Sequence, residues 1–513
     1  MSSGQTLFTA LVAAARRFGR GRPSQWEDMK PGRYSYGDLL KMTLALGRLL
    51  TRISREGEHV GILLPNLAAT VCLMIGASAY RRVPCMLNYT AGAEGMQNAC
   101  HTAGIRTVLT SRAFLEKAGL AEDAARLHDI RLIYLEDLRA RFSLADKAWL
   151  MAYALWFPLR AVPEGDPESP AVVLFTSGSE GRAKGVVLSH RALLTNVEQV
   201  LAVLPFGPDD KVFNCLPVFH SFGLTGGALL PLVCGARVMF YPSPLHYKVI
   251  PELVRDRGCT VLFATSTFLN QYARQAAPGD FASLRHVVAG AEKLAQPVRE
   301  LWRSKFGIEI LEGYGVTEAS PVLSVNPRGD NRAGTVGRLV PRVDGRLLPV
   351  PGIVEGGELH VRGPNLMSGY YRYDRPGQLE PPTSAVGPGW YNTGDVVSID
   401  ADGFLSIIGR LKRFAKVAGE MVSLERVEAI ARQASPEAAH AATSVPDVGR
   451  GESVILFTTD AELTREQLAA VAHAEGYPEI AVPHRIRAVD GLPLLGSGKV
   501  DYMALQRMGA RAE

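Results

Sequence analysis

The stretch Thr176-Ser177-Gly178-Ser179-Glu180-Gly181-Arg182-Ala183-Lys184-Gly185 gathers three glycines, three hydroxyls and a lysine. Glycines let backbone N–H groups converge on an anion, hydroxyls add donors, and the lysine adds a compact positive charge. That set suits a polyphosphate. A Walker loop is excluded: Ala183 stands where its second glycine is required, and Gly185 stands where Ser or Thr would hold magnesium. Taken alone, the stretch reads equally well as a flexible Gly/Ser turn. Other chemistries have no support. Neither HExxH nor HxxEH occurs, and no Ser, His and Asp fall in an order that suggests a hydrolase triad.

The elements around the loop must position it. Ala171–Phe175 is a short apolar run, read as a buried strand, and Val186-Val187-Leu188 is β-branched and strand-like. The loop therefore joins two strands rather than opening a helix. Ser189 is the expected N-cap of a following helix, whose apolar residues Leu193, Leu194, Val197, Val200, Leu201 and Leu204 keep helical spacing. Upstream, helices are expected over 7–17 and 36–51. Strand 60–64, helix 67–80, strand 83–87, helix 93–103 and strand 108–109 then alternate, which implies parallel βαβ units. Downstream, strand 212–215 leads to Pro217-Val218-Phe219-His220-Ser221-Phe222-Gly223, then helix 223–234 and strand 236–240. The runs 261–264 and 287–292 are two more strand ends that open onto small or polar residues, where ligands bind in open α/β sheets. From about 335 to 410 the period shortens to two among many Gly and Pro, as expected for antiparallel strands of a small barrel. Gly409-Arg410-Leu411-Lys412 marks a boundary. Beyond it, helix 424–433, strand 453–459 and helix 464–476, with a Thr464…Gln467 capping box, read as a small α+β domain.

Five segments in this order carry a family resemblance: TSGSEGRAKG (176–185), GYGVTEAS (313–320), WYNTGD (390–395), GRLKRFAKVAGEMVSLE (409–425) and LPLLGSGK (492–499). Together they resemble the adenylate-forming superfamily of acyl-CoA synthetases, luciferases and peptide-synthetase adenylation domains. The resemblance implies an α/β fold. A large N-terminal domain, 1–410, would hold two α/β sheets and a small β-barrel. A smaller α+β C-terminal domain, 411–513, would move about a hinge near 410–412.

The resemblance also implies roles. Thr176, Ser177, Gly178, Ser179, Gly181 and Lys184 would hold the outer phosphates of ATP, although Glu180 replaces a usual threonine and makes the loop less electropositive. Glu318 would ligate Mg²⁺ as a hard oxygen donor, Thr317 would bond the α-phosphate, and Tyr314 would stack on adenine. Ala291 and Glu292 would line the adenine pocket. Asp395 would accept both ribose hydroxyls, with Arg410 beside it. Lys499 would sit between the substrate carboxylate and the α-phosphate, where a lysine offers three donors to two anions. His220 and Phe222 would gate an acyl pocket; a satisfied core histidine is the other reading of His220.

Composition bounds the partners. The 513 residues carry 56 basic and 51 acidic side chains, a net charge of +5 that does not argue for nucleic acid. Hydrophobic content of 47% suits a large globular core. Cys72, Cys85, Cys100, Cys215, Cys234 and Cys259 form no CxxC pair and read as buried small hydrophobes in a reducing compartment. No secretory signal is expected, because Thr9–Ala15 precedes the first basic residues. Of the uncharged runs, 60–80 is broken by Pro65-Asn66 and 212–236 by prolines and glycines. The run 148–158, with Trp149, Tyr153, Trp156 and Phe157 between Lys147 and Arg160, reads first as a core or partner-packing helix and second as a membrane-interface segment. A cytoplasmic protein is expected, with peripheral contact at the inner membrane face as the second reading.

The expected function is ATP-dependent activation of a fatty or other carboxylic acid to an acyl-adenylate, followed by transfer to a thiol. Several segments, among them Leu87-Asn88-Tyr89-Thr90-Ala91-Gly92, are similar to the synthetase half of bacterial 2-acylglycerophosphoethanolamine acyltransferase/acyl-[acyl carrier protein] synthetases. No HxxxxD acyltransferase segment precedes them. The thiol of acyl carrier protein is thus the first expected acceptor and CoA the second. A non-catalytic acyl or nucleotide sensor on the same fold is a third reading.

Overall fold

The computed structural model describes residues 4–22, 25–29, 32–177, 182–353, 355–418, 420–447, 451–494 and 500–510. Contacts group the chain into two compact units. The first takes in Met1–Asp344, Arg362–Tyr391 and Gly403–Leu405; the second takes in Gly345–Val361, Asn392–Asp402 and Ser406–Glu513. Half of the 345–410 region thus groups with the carboxy-terminal residues, although the sequence divides the chain at 410.

The first unit holds two large sheets. In one, His59–Ile62, Val83–Met86, Thr107–Thr110, Arg131–Tyr134 and Pro170–Ser177 run parallel. Ala183–Ser189, Gly369–Arg372 and Arg375–Glu380 extend that sheet as antiparallel strands. In the other, Lys211–Asn214, Arg237–Phe240, Val261–Ala264, His286–Ala289 and Ile310–Gly315 are parallel and buried on both faces. Their continuous apolar runs are what such strands need. Trp26–Glu27 joins that sheet beside Arg237–Phe240, and Arg33–Tyr34 pairs beyond it at the edge. A two-residue strand is too short to show a period, so the sequence does not predict it.

Helix Ala68–Ala79 is buried on nearly every side. It crosses helix Tyr36–Leu50 closely, and a Cβ at Gly76 would meet the Thr43 carbonyl oxygen at 2.5 Å. Glycine is required there to let the two backbones approach. The uncharged run 60–80 is thus a strand and a core helix, and among the described residues no helix is long and apolar enough to cross a membrane. The expected helix 223–234 is present but interrupted by a π turn over Thr225–Leu229. At Gly227 an added Cβ would lie 2.2 Å from the Asn214 side chain, so the turn sits directly against the neighbouring strand. All six cysteines are buried and unpaired.

Ser189 caps helix His190–Val203 as expected, its Oγ accepting from Ala192 N at 3.1 Å. His190 opens that helix inside the core, and its Nδ1 accepts from Leu7 N at 3.1 Å. Burial pushes its pKa down to about 4. The folded imidazole is therefore neutral, while an unfolded one protonates near pH 6.5. Stability is lost as pH falls from 6.5 through 4, and the loss due to this residue should be about 2–3 kcal/mol by pH 4.5. Denaturant midpoints at pH 7 and 4.5 should differ more in the wild type than in His190→Asn. Equal acid losses would count against the assignment.

In the second unit, strands Asp344–Leu348, Gly357–Arg362, Tyr391–Ile399 and Leu405–Arg410 form a four-stranded sheet where the sequence predicts barrel strands. Beyond it, Glu420–Ser423, Phe414–Val417, Gly451–Thr458, His440–Asp447 and Arg485–Ala488 make a five-stranded sheet. Helices Leu424–Ala434, Arg465–Ala474 and Tyr502–Ala510 belong to the same unit. The Thr464–Gln467 capping box forms, with Gln467 Oε1 accepting from Thr464 N at 2.8 Å.

Candidate active site

The glycine-rich stretch joins two antiparallel strands, in the register Thr176↔Lys184 and Ser177↔Ala183. Gly178, Ser179 and Gly181 lie outside the described residues, as does Lys499. Gly185 leaves room behind the lysine: a Cβ there would press Val173 at 3.2 Å and Tyr371 at 3.3 Å, and those side chains would have to shift by a few tenths of an ångström. The neighbouring strand brings Tyr370 opposite Val186. Lys184 Nζ lies 5.3 Å from the Tyr370 ring centroid, within cation–π range.

Tyr370 connects the lysine to Glu318. Its hydroxyl donates to Glu318 Oε1 at 2.5 Å, and the Tyr391 hydroxyl lies 3.3 Å from its oxygen. Burial, and next the negative Glu318, hold the Tyr370 phenol well above its ordinary pKa, so it stays a neutral donor. Glu318 is buried, within a 3₁₀ turn over Thr317–Ala319 that follows strand Ile310–Gly315. A charged carboxylate is retained in such a place only with partners, and the phenol is one.

The turn itself is tightly fixed. Val316 N donates to the Pro321 carbonyl at 2.9 Å, and a Cβ at Gly315 would lie 2.1 Å from that oxygen. Asn196 clamps Val322 on both sides: its Nδ2 donates to the Val322 carbonyl at 2.8 Å and its Oδ1 accepts from Val322 N at 2.9 Å. Asn365 Nδ2 donates to the Ala319 carbonyl at 2.9 Å, Thr225 Oγ1 to the Ser320 carbonyl at 2.7 Å, and Met367 N to the Glu318 carbonyl at 2.7 Å. Thr317 Oγ1 meets Ser221 Oγ at 3.2 Å. Lys184, Tyr370, Glu318, Thr317 and Ser221 therefore form one connected group in the first unit.

Topology explains part of this. The carboxyl ends of strands Lys211–Asn214, Val261–Ala264, His286–Ala289 and Ile310–Gly315 open on the same edge of one parallel sheet, where ligand sites of such sheets lie. His220 follows the first of these strands. It is exposed, and its ring centroid lies 4.6 Å from that of Phe219, which meets Tyr89 at 4.9 Å. It is not a buried core histidine. Phe222 lies against Gly290, where a Cβ would approach its ring at 3.2 Å. Ala291 has a positive φ of 68° and is exposed. The Glu292 carboxylate accepts from Thr267 N in the first turn of helix Ser266–Gln275, so it serves a helix end. Tyr314 is buried in strand Ile310–Gly315.

Asp395 and Arg410 belong to the second unit. Asp395 is buried, its N donates to Thr393 Oγ1 at 3.1 Å, and Thr393 Oγ1 donates to the Leu359 carbonyl at 2.8 Å. Arg410 Nε reaches Asp395 Oδ1 at 3.1 Å. Arg413 Nη2 reaches the buried Glu428 at 2.6 Å, and its guanidinium lies 3.7 Å from the Tyr502 ring centroid. Arg432 approaches the same carboxylate at 3.9 Å. The basic run after 409 is thus partly neutralised within its own unit, leaving Lys412 and Lys416 exposed.

Within the first unit, Lys184 is the kind of charge a phosphate needs and Glu318 the kind of oxygen ligand a hard cation needs; within the second, Asp395 is a carboxylate able to accept hydroxyl hydrogens. Among the described residues no three His, Cys, Asp or Glu side chains gather to hold a metal. A lone carboxylate fits Mg²⁺, which completes its shell with substrate phosphates and water. Sequence reading missed Tyr370, Ser221, Asn196 and Asn365. Only Ser221 had a local signal, lying in the Phe219-His220-Ser221-Phe222-Gly223 segment.

Comparison with known proteins follows the same lines. The family model described as AMP-binding enzyme matches residues 12–371. A long-chain-fatty-acid–CoA ligase of Salmonella typhimurium is 34% identical over 488 residues, covering 87% of this chain and 84% of that protein. The ATP-bound structure of MatB from Rhodopseudomonas palustris superposes with a TM-score of 0.82 at 23% identity, covering 99% of each chain. An anthranilate CoA ligase, AuaEII, in complex with anthranoyl-AMP gives a TM-score of 0.81 at 19% identity, covering 100% of this chain and 99% of that one. At these identities the two structures speak to the fold alone.

Proposed function

Because the chain belongs to the AMP-binding enzyme family, we propose that it is a long-chain fatty acid–CoA ligase. The coarser activity is that of an AMP-forming acid–thiol ligase that uses ATP to activate a carboxylic acid. Sequence reasoning puts acyl carrier protein first as the thiol acceptor. The observation that moves the reading to CoA is the 34% identity, over 87% of the chain, to a long-chain-fatty-acid–CoA ligase.

In the proposed reaction a carboxylate oxygen attacks the α-phosphorus of ATP and pyrophosphate leaves. The thiol then attacks the acyl carbonyl of the adenylate, giving a thioester and AMP. Negative charge gathers on phosphate oxygens during the first step, so fixed donors and cations provide the catalysis. Residues 176–185, with Lys184 as their charge, take the outer phosphates. Thr317 takes the α-phosphate, and Tyr314 with Ala291 and Glu292 borders the base, Glu292 through its backbone since its carboxylate caps a helix. Glu318 holds Mg²⁺, which neutralises phosphate charge when bound. Tyr370 orients the Glu318 carboxylate and leaves its second oxygen available. Asp395 takes the ribose hydroxyls, with Arg410 exchanging from carboxylate to nucleotide. Lys499 bridges the two reacting anions. His220, exposed above Phe219, borders the acyl entrance. Residues 1–410 and 411–513 act as two domains that pivot near 410–412 between the half-reactions.

ATP–pyrophosphate exchange across acids of graded chain length, followed by thioester formation with CoA and with acyl carrier protein, tests this reading. Long-chain acids should support exchange, and kcat/KM with CoA should exceed that with the carrier. A carrier preference that falls steeply with ionic strength would reverse the acceptor assignment, because steering of an acidic protein is screened by salt. Exchange with no acid of any length would refute the enzyme reading and restore the sensor.

A further inference from the structure

Helix Leu144–Leu155 turns an apolar side outward. Its inward side is fixed by Asp146, which closes the capping box with Ser143 and takes Arg48 Nε at 3.0 Å and Arg52 Nη2 at 2.6 Å. Trp149 lies under the Arg48 guanidinium at 4.2 Å, and Tyr153 lies against Trp149, so these two aromatics are not the exposed ones. Leu144, Ala148, Met151 and Leu155 recur at helical spacing on the other side, and all four are exposed, Leu144 by 80%. The stripe continues into Trp156, 69% exposed, and Phe157, 50% exposed. A solvent-facing helix side is ordinarily polar, and a contiguous exposed apolar patch marks an interaction surface.

Charge decides what covers it. Arg139, Arg141, Lys147 and Arg160 are exposed around the stripe. The only carboxylate between residues 139 and 160 is Asp146, which is buried and paired. Arg160 lies 5.4 Å from the Phe157 ring centroid, so a cation and an aromatic share the end of the patch. A second copy of the chain would bring this same cationic rim against itself. A surface of lipid phosphates would neutralise it, while Trp and Phe suit the boundary between headgroups and acyl chains.

We propose that helix Leu144–Leu155, with Trp156 and Phe157, docks this protein onto an anionic lipid bilayer. The apolar stripe enters the acyl boundary, and the cations lie at phosphate level. The proposal stands apart from the reaction proposed above, because docking is measured with no acid, ATP or thiol present.

The test is flotation of the full chain with phosphatidylcholine vesicles, with and without phosphatidylglycerol. The wild type should bind the anionic vesicles and bind the zwitterionic ones more weakly. Met151→Glu and Leu155→Glu, both on the surface, should each lower binding about tenfold or more while leaving exchange activity unchanged. Lys147→Glu with Arg160→Glu should remove the preference for anionic vesicles. A wild type that stays unbound, or variants that bind as the wild type does, would overturn the proposal. A dimer in sedimentation equilibrium that Met151→Glu dissolves would also overturn it and assign the stripe to a second copy.

Discussion

Lys499→Ala should lower acid-dependent ATP–pyrophosphate exchange by about a hundredfold or more, the cost of removing a charged donor that acts on the transition state, roughly 2.7–4 kcal/mol. The lysine follows Gly496-Ser497-Gly498 near the end of the chain, in the motif that resembles the family's inserted loop. In the proposed role, between a carboxylate and an α-phosphate, its ammonium would offset the repulsion of two anions forced together. That benefit grows as the new P–O bond forms, so the loss should fall on kcat more than on the KM for ATP. ATP binding should survive, since residues 176–185 are the ones proposed to hold the outer phosphates. Thioester formation from preformed acyl-adenylate should be less affected than exchange. Exchange at the wild-type rate would remove Lys499 from the mechanism.

Glu318→Gln separates charge from shape. Glutamine keeps the volume, and its amide oxygen can still accept from Tyr370, so the turn held by Asn196 and Asn365 should stand. What disappears is the anionic oxygen for a hard cation. Exchange should fall on the order of a hundredfold, and the Mg²⁺ concentration for half-maximal rate should rise. Tyr370→Phe removes the short hydrogen bond but leaves the carboxylate, so its loss should be smaller, about tenfold, with the Mg²⁺ requirement also raised. Wild-type Mg²⁺ dependence in Glu318→Gln would place the metal elsewhere.

The parts of this molecule that local pattern controls could be read from sequence. Alternating apolar runs and turn residues located most of the parallel strands, though not Arg131–Tyr134 or Ile310–Gly315, and Ser189 and Thr464 marked helix starts. The unread parts depend on distant partners. Asn196 and Val322 are 126 positions apart, and an asparagine in a helix carries no sign that it will clamp a strand. Tyr370 reads as one more aromatic in a β-rich stretch until the sheet sets it beside Glu318. Trp149 and Trp156 look equivalent in sequence; only the pairing of Asp146 with Arg48 and Arg52 decides which is turned inward. The run Arg410–Lys416 suggests a basic patch, yet Arg413 is turned toward the buried Glu428.

An enzyme that makes acyl-adenylates and thioesters holds an acylating agent. Any thiolate within reach would compete with the co-substrate for the activated acyl group. Burial pushes Cys215 and Cys234 up to about 11 and Cys72, Cys100 and Cys259 up to about 12, and it holds Cys85 well above the ordinary thiol range. At neutral pH the thiolate fraction of even the most acidic of these is about one part in ten thousand, and the thiolate is the attacking form. Depth in the core adds a barrier of access. Six buried thiols held in the protonated form are therefore poor competitors for an activated acyl group.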